Sequence, residues 1–263
     1  MLTHRAGVDM RVIAEYDRQH HGLITLDAAR RRGAISRAGW YRAVADGRLE
    51  LLHPGVARLA GAAVTREQAI GAAVMAAGPG AMASHRSAAF LWGVPRPEAD
   101  PVDVILPIRS REARLAGVVV HRPRDRRDLK PMRRSSIATT NVVRFLCDLG
   151  AVDPPGVHAA VGHVLFQSLA RPHDLQRAID VHARRGRHGV PALRAALADW
   201  MLDDKPIDSV LERAMSDLLV RFGLPPAQFH ARIAGYEVDF WLTGTPVGLE
   251  GDGWAYPGRT LAQ

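Results

Sequence analysis

The sequence predicts an α+β protein built from three units, and three observations lead to that prediction. The stretch from Gly22 to Gly61 has the order helix, turn, helix, β-hairpin. Next, apolar helical patterns alternate with short β-branched runs such as PVDVILP and GVVVHRP. Near the end, a helical pattern gives way to alternating strand patterns. We therefore predict a winged helix at residues 1–62, a middle α/β domain at 63–203 and a partial α/β domain at 204–263.

The helices of the first unit are marked by their ends. Thr25 is placed to cap the helix in TLDAARRRG, and Gly33 suits the left-handed stop. Ser36 is placed to cap a second helix, RAGWYRAVA, which Gly47 closes. A further helix is predicted before them, over Met10 to Gln19.

The second helix should have one inward and one outward face. Trp40 and Val44 are four residues apart and share the inward face. After this helix, RLELL and VARLA flank His53-Pro54-Gly55, a turn sequence that predicts a β-hairpin. Together these elements have the order of a winged helix, whose second helix would enter a major groove.

The outward residues are the candidate DNA contacts. The chain has 35 Lys and Arg against 27 Asp and Glu, a net charge of +8 that favours polyanionic partners. We expect groove contacts from Arg37, Tyr41 and Arg42, and phosphate contacts from Arg48, His53 and Arg58.

HHGLIT, the helix pair around Gly33 and Ser36, and GRLELLHPGVARLAG resemble the N-terminal winged helix of AbiEi-type antitoxins of actinobacteria. The resemblance implies a DNA-reading regulatory domain and a cognate toxin as a partner. SHRSAAFLWG and GVVVHRP resemble the middle domain of such proteins. This second resemblance implies that the middle unit takes part in interaction and regulation and carries out no chemistry.

In the middle unit, caps are predicted at Thr65, at Ser84 and within Thr139–Asn141, and helices fill most of residues 154–200. The segment Arg124–Arg134 reads as a basic loop, solvated or touching phosphate. The spacing of the histidines does not predict a metal site. The lone Cys147 lies in an apolar helical pattern, which predicts a buried small residue.

The last unit carries acidic candidates for a metal site. Glu212 falls on a predicted helix, Asp239 at the end of a predicted hairpin, and Glu250 with Asp252 on a further predicted strand. Such carboxylates can converge on Mg²⁺, which assists phosphodiester cleavage. Asp239 and Glu250 are the candidate metal ligands, and all four are candidate catalytic residues.

SVLERAMSDLLVRFGLPPAQ, YEVDFWL and LEGDGW are similar to PD-(D/E)XK nucleases, and more closely to Vsr-like endonuclease domains. Two departures weaken that similarity. Asp252 stands where the general motif has lysine, and Pro257 stands where Vsr-like relatives have histidine. The sequence also stops at Gln263, where such domains continue, so we expect a truncated or decayed nuclease domain.

Three interpretations of function remain open. The first is a cytoplasmic DNA-binding regulator of the antitoxin kind, with an inactive nuclease-like end and no required cofactor. The second is a Mg²⁺-dependent DNA endonuclease. The third is an antitoxin that binds only a protein partner. No apolar run is long enough to span a bilayer, so no membrane partner is expected.

We predict that the 263-residue chain does not nick supercoiled plasmid in Mg²⁺ or Mn²⁺. Cleavage needs a group that activates water and charge that stabilises the transition state, and the expected lysine and histidine are both replaced. The assay compares the parent with Asp239→Ala. Nicking that the parent shows and the variant lacks would contradict the prediction.

Overall fold

The computed structural model describes residues 20–107, 115–123, 126, 128–184, 186–200, 215 and 217–250. Helices and strands are mixed along the chain, and the strands form three sheets within this part of it. The predicted α+β fold class is confirmed. The helix expected over Met10 to Gln19 lies outside the described residues.

The first unit combines two short helices with a small antiparallel sheet of order β1-β3-β2. Its elements are β1 (Leu23–Thr25), α1 (Leu26–Arg31), α2 (Arg37–Ala45), β2 (Leu49–His53) and β3 (Val56–Leu59). The helix ends follow the sequence signals. Thr25 Oγ1 accepts from the backbone N–H of Ala28 at 3.1 Å, and Ser36 Oγ accepts from that of Gly39 at 3.0 Å. The predicted hairpin is present, whereas β1 was not predicted.

A separate apolar core holds this unit together. Trp40 on α2 is 1% exposed and packs with Ile24, Ala29 and Leu49. Val44 packs against the same cluster, as its spacing from Trp40 predicted. One aromatic side chain therefore fills the space between the helices and the sheet.

The middle unit contains a mixed five-stranded sheet of order β6-β5-β4-β8-β7. Its first elements are α3 (Arg66–Ala77), β4 (Met82–Ala83), α4 (His85–Leu91), β5 (Val102–Ile105), β6 (Val118–His121), β7 (Met132–Arg134) and β8 (Ile137–Thr139). β5 runs parallel to β6, and β4 runs parallel to β8, while the other two pairs are antiparallel.

Four helices follow the sheet: α5 (Val142–Val152), α6 (Pro154–Phe166), α7 (Pro172–His182) and α8 (Val190–Trp200). They pack with α4 around a core centred on Phe145, Leu149, Val161 and Leu193. Asn141 caps α5 by accepting from the backbone N–H of Arg144 at 2.8 Å. The helical content predicted for residues 154–200 is therefore present.

One local prediction for this unit was wrong, and the cap predicted at Ser84 is present in position but not in its hydrogen bond. Residues 132–134 form β7 rather than loop, because Ser135 and Ser136 take left-handed φ values of 46° and 62° and turn the chain back onto β8. Ser84 precedes α4, but its side chain makes no capping hydrogen bond. Its hydroxyl lies instead 2.9 Å from Nδ1 of His85.

Helix α3 connects the two sheets. Gly71 faces Leu23 of β1 so closely that an added Cβ would lie 3.1 Å from Leu23 Cδ1. Gln68 donates from Nε2 to the backbone carbonyl of His21 at 2.8 Å. On its other side, Ala73 packs with Val104 of β5.

The last described segment is an antiparallel sheet of order β11-β10-β9. Its strands are β9 (Ala227–Ile233), β10 (Tyr236–Leu242) and β11 (Gly248–Leu249). Gly235, with φ of 88°, makes the predicted turn between β9 and β10. In the described part of the chain, no helix has both the length and the apolar character needed to cross a bilayer.

Replacing Trp40 with Ala should lower the free energy of unfolding of the first unit by about 3–5 kcal/mol, because it empties a large buried site. Tyr41→Ala is the matched control, since the neighbouring ring is 54% exposed. Thermal and urea unfolding would measure both. Equal loss of stability in the two variants would show that Trp40 does not hold the core.

Candidate functional site

The predicted groove-contacting residues lie together on the outer face of α2. Arg37, Tyr41 and Arg42 are exposed, and Gly39, Trp40 and Ala43 are buried on the other face. The N-cap at Ser36 fixes where the helix begins, and Trp40 fixes how it is rotated against the core. The exposed face therefore presents two guanidinium groups and one phenol to solvent.

The predicted phosphate contacts lie in and beside the β2–β3 hairpin, which we call the wing, and their surroundings differ. Arg48 is exposed and pairs with Asp46, with Nη2 to Oδ2 at 3.0 Å. Arg58 lies on β3, where Nη2 is 2.6 Å from Glu50 Oε2 and Nη1 donates to Gln68 Oε1 at 3.3 Å. The guanidinium of Arg58 thus already holds the wing to α3.

His53 ends β2 beside the hairpin turn and is half-buried. Burial lowers the pKa of its imidazole below the usual 6.5. At neutral pH the ring is therefore uncharged, and it would meet a phosphate as a hydrogen-bonding group rather than as a cation.

Two of the four candidate acidic residues of the last unit lie within the described part of the chain. Asp239 is half-buried on β10, and Glu250 is exposed one residue beyond the end of β11 rather than on a strand. The pairing of Phe240 with Leu249 puts these two acids at opposing positions of the β10–β11 pair. Glu212 and Asp252 lie outside the described residues.

The basic segment predicted at Arg124–Arg134 is anchored by its acidic residue. Asp128 accepts from Arg144 Nη1 at 3.0 Å and from Arg187 Nη2 at 2.7 Å, and it lies 3.1 Å from His182 Nδ1. Burial alone would raise the pKa of Asp128, but the hydrogen bond from Arg187 and the neighbouring cations leave it below its usual value. This part of the segment is therefore tied to the helices behind it.

The structure brings together three chemically active side chains that the sequence analysis did not associate. His85 begins α4, Asp103 lies on β5, and His121 ends β6. In the parallel register, His121 pairs with Ile105, two residues along the strand from Asp103. Since side chains alternate across a strand, Asp103 and His121 project from the same face of the sheet.

Hydrogen bonds fix the three groups closely. His121 Nε2 lies 2.7 Å from Asp103 Oδ1, and the rings of His121 and His85 are stacked with centroids 3.6 Å apart. Arg86 donates from Nε to Asp103 Oδ2 at 2.8 Å and from Nη2 to Oδ1 at 3.1 Å. The hydroxyl of Ser87 accepts from the backbone N–H of Asp103 at 2.8 Å.

The environment of this cluster sets its charges at neutral pH. Burial, with a further contribution from His121, lowers the pKa of His85 from 6.5 to about 3. Burial alone would raise the pKa of Asp103, but hydrogen bonds from His121 and Arg86 bring it below its usual value. The cluster therefore holds a neutral imidazole beside an ionised carboxylate.

Sequence spacing could not reveal this cluster because its members are separated by 18 residues at each step. The available signals were a histidine at the start of a helix, SHRSAAFL, and one at the end of a strand, GVVVH. By contrast, Cys147 is buried as predicted, and burial raises the pKa of its thiol to about 12. That thiol is therefore protonated and not a nucleophile.

No known protein-family model and no curated protein matches the chain. Among solved structures, it is similar to the crystal structure of the RV2827C protein from Mycobacterium tuberculosis. The TM-score is 0.45 and the sequence identity 16%, over 73% of this chain and 80% of that one.

Acid should destabilise the fold through His85. Below pH 6.5 the unfolded chain binds a proton at this residue, whereas the folded chain excludes it until the pH nears 3. The titration of His85 therefore leaves the free energy of unfolding at its full value above pH 6.5. As the pH falls from there toward 3, that free energy decreases by about 1.4 kcal/mol per pH unit.

Urea unfolding of the parent and of His85→Gln between about pH 6 and pH 4 would measure that slope. The variant is less stable throughout, but its stability should fall less steeply because residue 85 no longer titrates. Parallel slopes would contradict the assignment of a neutral, buried His85.

Proposed function

We propose that this protein binds duplex DNA through its winged helix and acts as a DNA-binding regulator. The observation that carries the proposal is the division of α2 into a buried face and an exposed face that carries arginine and tyrosine. The resemblance of the first unit to AbiEi-type antitoxins agrees with this role and adds a toxin as a possible second partner.

The shape of α2 suits entry into a groove. Successive residues of an α-helix are about 100° apart, so positions 37, 38, 41, 42 and 45 fall within an arc of about 140°. All five are exposed, while positions 39, 40, 43 and 44 on the other side are buried or half-buried. Ala38 and Ala45 are small, so a base-pair edge can come close to the helix between the longer side chains.

The exposed groups have the chemistry that this role needs. The guanidinium groups of Arg37 and Arg42 can donate in pairs to guanine or to phosphate oxygens, and the Tyr41 hydroxyl can donate to either. In DNA complexes of this architecture, the second helix reads bases, and flanking groups fix its position on the backbone. Arg48 and the hairpin tip at His53 would supply those flanking contacts.

The charge of the unit supports the same conclusion. Residues 20–62 contain seven arginines and three acidic residues. Two of those acids, Asp46 and Glu50, are paired with Arg48 and Arg58 at the wing and not with the arginines of α2. The field in front of α2 therefore favours a polyanion.

The double variant Arg37→Ala/Arg42→Ala should bind DNA more weakly and with a smaller salt dependence. If both arginines contact phosphate, the slope of log K against log salt should shrink by about two. Arg177→Ala/Arg194→Ala is the matched control, because it removes the same charge from exposed positions on α7 and α8. Fluorescence anisotropy with a labelled duplex at several salt concentrations would measure both.

Equal loss of affinity in the two double variants would mean that only overall charge matters, which would contradict recognition by α2. Undiminished binding by the α2 variant would assign DNA binding to another surface. If the parent itself binds no duplex, the proposal fails, and the interpretation as a protein-binding antitoxin takes its place.

A further inference from the structure

We propose that His85, Asp103 and His121 form a binding site for a divalent transition metal ion, with zinc the best fit. The three residues come from α4, β5 and β6, and one ligand atom from each lies within 4.8 Å of the other two. Nowhere else in the described ranges do three His, Cys, Asp or Glu side chains converge in this way.

The spacing of the ligand atoms is close to that of a coordination shell. Zinc binds imidazole nitrogen and carboxylate oxygen at about 2.0–2.1 Å, so neighbouring ligand atoms lie about 3 Å apart or slightly more. His121 Nε2 and Asp103 Oδ1 are 2.7 Å apart. Binding of an ion between them requires these two atoms to move roughly half an ångström further apart and to lose their direct hydrogen bond.

The two imidazoles need a larger adjustment. Their rings are stacked at an interplanar angle of 19°, whereas two nitrogens that share one ion must direct their lone pairs toward a common point. His121 is the ring that can turn, because its side chain is 21% exposed, while His85 is buried. Because His121 is the partly exposed ligand, an ion would enter from its side of the cluster.

Two of the three ligands, His85 and Asp103, are held by a second contact, as is usual in metal sites. Nδ1 of His85 lies 2.9 Å from the hydroxyl of Ser84, so a proton on Nδ1 can be donated there and leave Nε2 as the ligand atom. Arg86 holds both oxygens of Asp103, with Nε donating to Oδ2 and Nη2 to Oδ1, and this fixes the carboxylate with Oδ1 facing His121. These contacts fix the two ligands without any ion.

The backbone at His85 gives independent support. Its φ is 48°, in the left-handed region that residues other than glycine seldom adopt. Such a conformation is strained for a residue with a side chain, and strained backbone tends to cluster at ligand-binding and active sites. Here it directs the first side chain of α4 toward the strands that carry the other two ligands.

The ligand set selects the class of ion. Two imidazoles and one carboxylate suit zinc, cobalt, nickel or iron, whereas Mg²⁺ and Ca²⁺ prefer a full set of oxygen ligands. The ionised carboxylate and the neutral His85 are the protonation states that coordination needs. Three protein ligands also leave a coordination position for water or for an anionic group.

The test uses the full chain without a polyhistidine tag, stripped of metal with a chelator and titrated with Co²⁺ while the visible absorption of the bound ion is recorded. We expect saturation at one equivalent, displacement of the Co²⁺ by Zn²⁺ and no displacement by excess Mg²⁺. His121→Gln should weaken Co²⁺ binding by at least about tenfold. Loss of a residue that only hydrogen-bonds to a metal ligand already lowers metal affinity by about that factor, and His121 is itself a ligand. His173→Gln, on the exposed surface of α7, should bind as the parent does.

Absence of a one-equivalent site in the parent would overturn the proposal whatever the variants do. Displacement by Mg²⁺, or equal affinity in His121→Gln and the parent, would also overturn it, because the ion would then lie elsewhere. Circular dichroism shows whether His121→Gln is folded. If it is not, His85→Gln replaces it under the same criteria.

Discussion

The burial of one carboxylate organises the middle of the molecule. Asp103 is fully buried on β5, and a charge taken out of water is tolerated only when it is paired and hydrogen-bonded. Arg86 of α4 and His121 of β6 are the partners of the carboxylate, and the hydroxyl of Ser87 on α4 accepts from the backbone N–H of the same residue. The requirement to satisfy this single group therefore fixes how a helix and two strands meet, and the same geometry brings two imidazoles to its side.

The two candidate sites depend on different physics. The surface of α2 is defined by helical periodicity and by the burial of Trp40, so its exposed residues follow directly from local sequence. The histidine cluster is defined by a buried charge and by strand register. The surface of α2 exposes the cations of Arg37 and Arg42 to solvent, and the histidine cluster holds ionisable groups at fixed distances. DNA binding and metal binding can for that reason be tested independently.

Most of the local structure could be predicted from sequence, because its causes are local. Thr25, Ser36 and Asn141 cap helices that begin where their side chains predicted. What could not be predicted depends on pairing between distant segments. β1 exists because it pairs with β3, and β7 exists because it pairs with β8. At three residues each, LIT and MRR are too short to show the alternation that predicts a strand, just as nothing near His85 points to His121.

The position of α3 limits how the winged helix can be separated from the rest of the chain. Leu23 and Val56 are buried against Ala72, so a fragment that ended at residue 62 would expose them to water. Extending the fragment through α3 would cover that surface but uncover Ala73 and Ala77, which pack against the middle sheet. The boundary predicted at residue 62 therefore separates two sequence patterns, but the two units share the packing of α3. A graft or natural recombination that moved this winged helix to another protein would have to supply a substitute for both faces of α3.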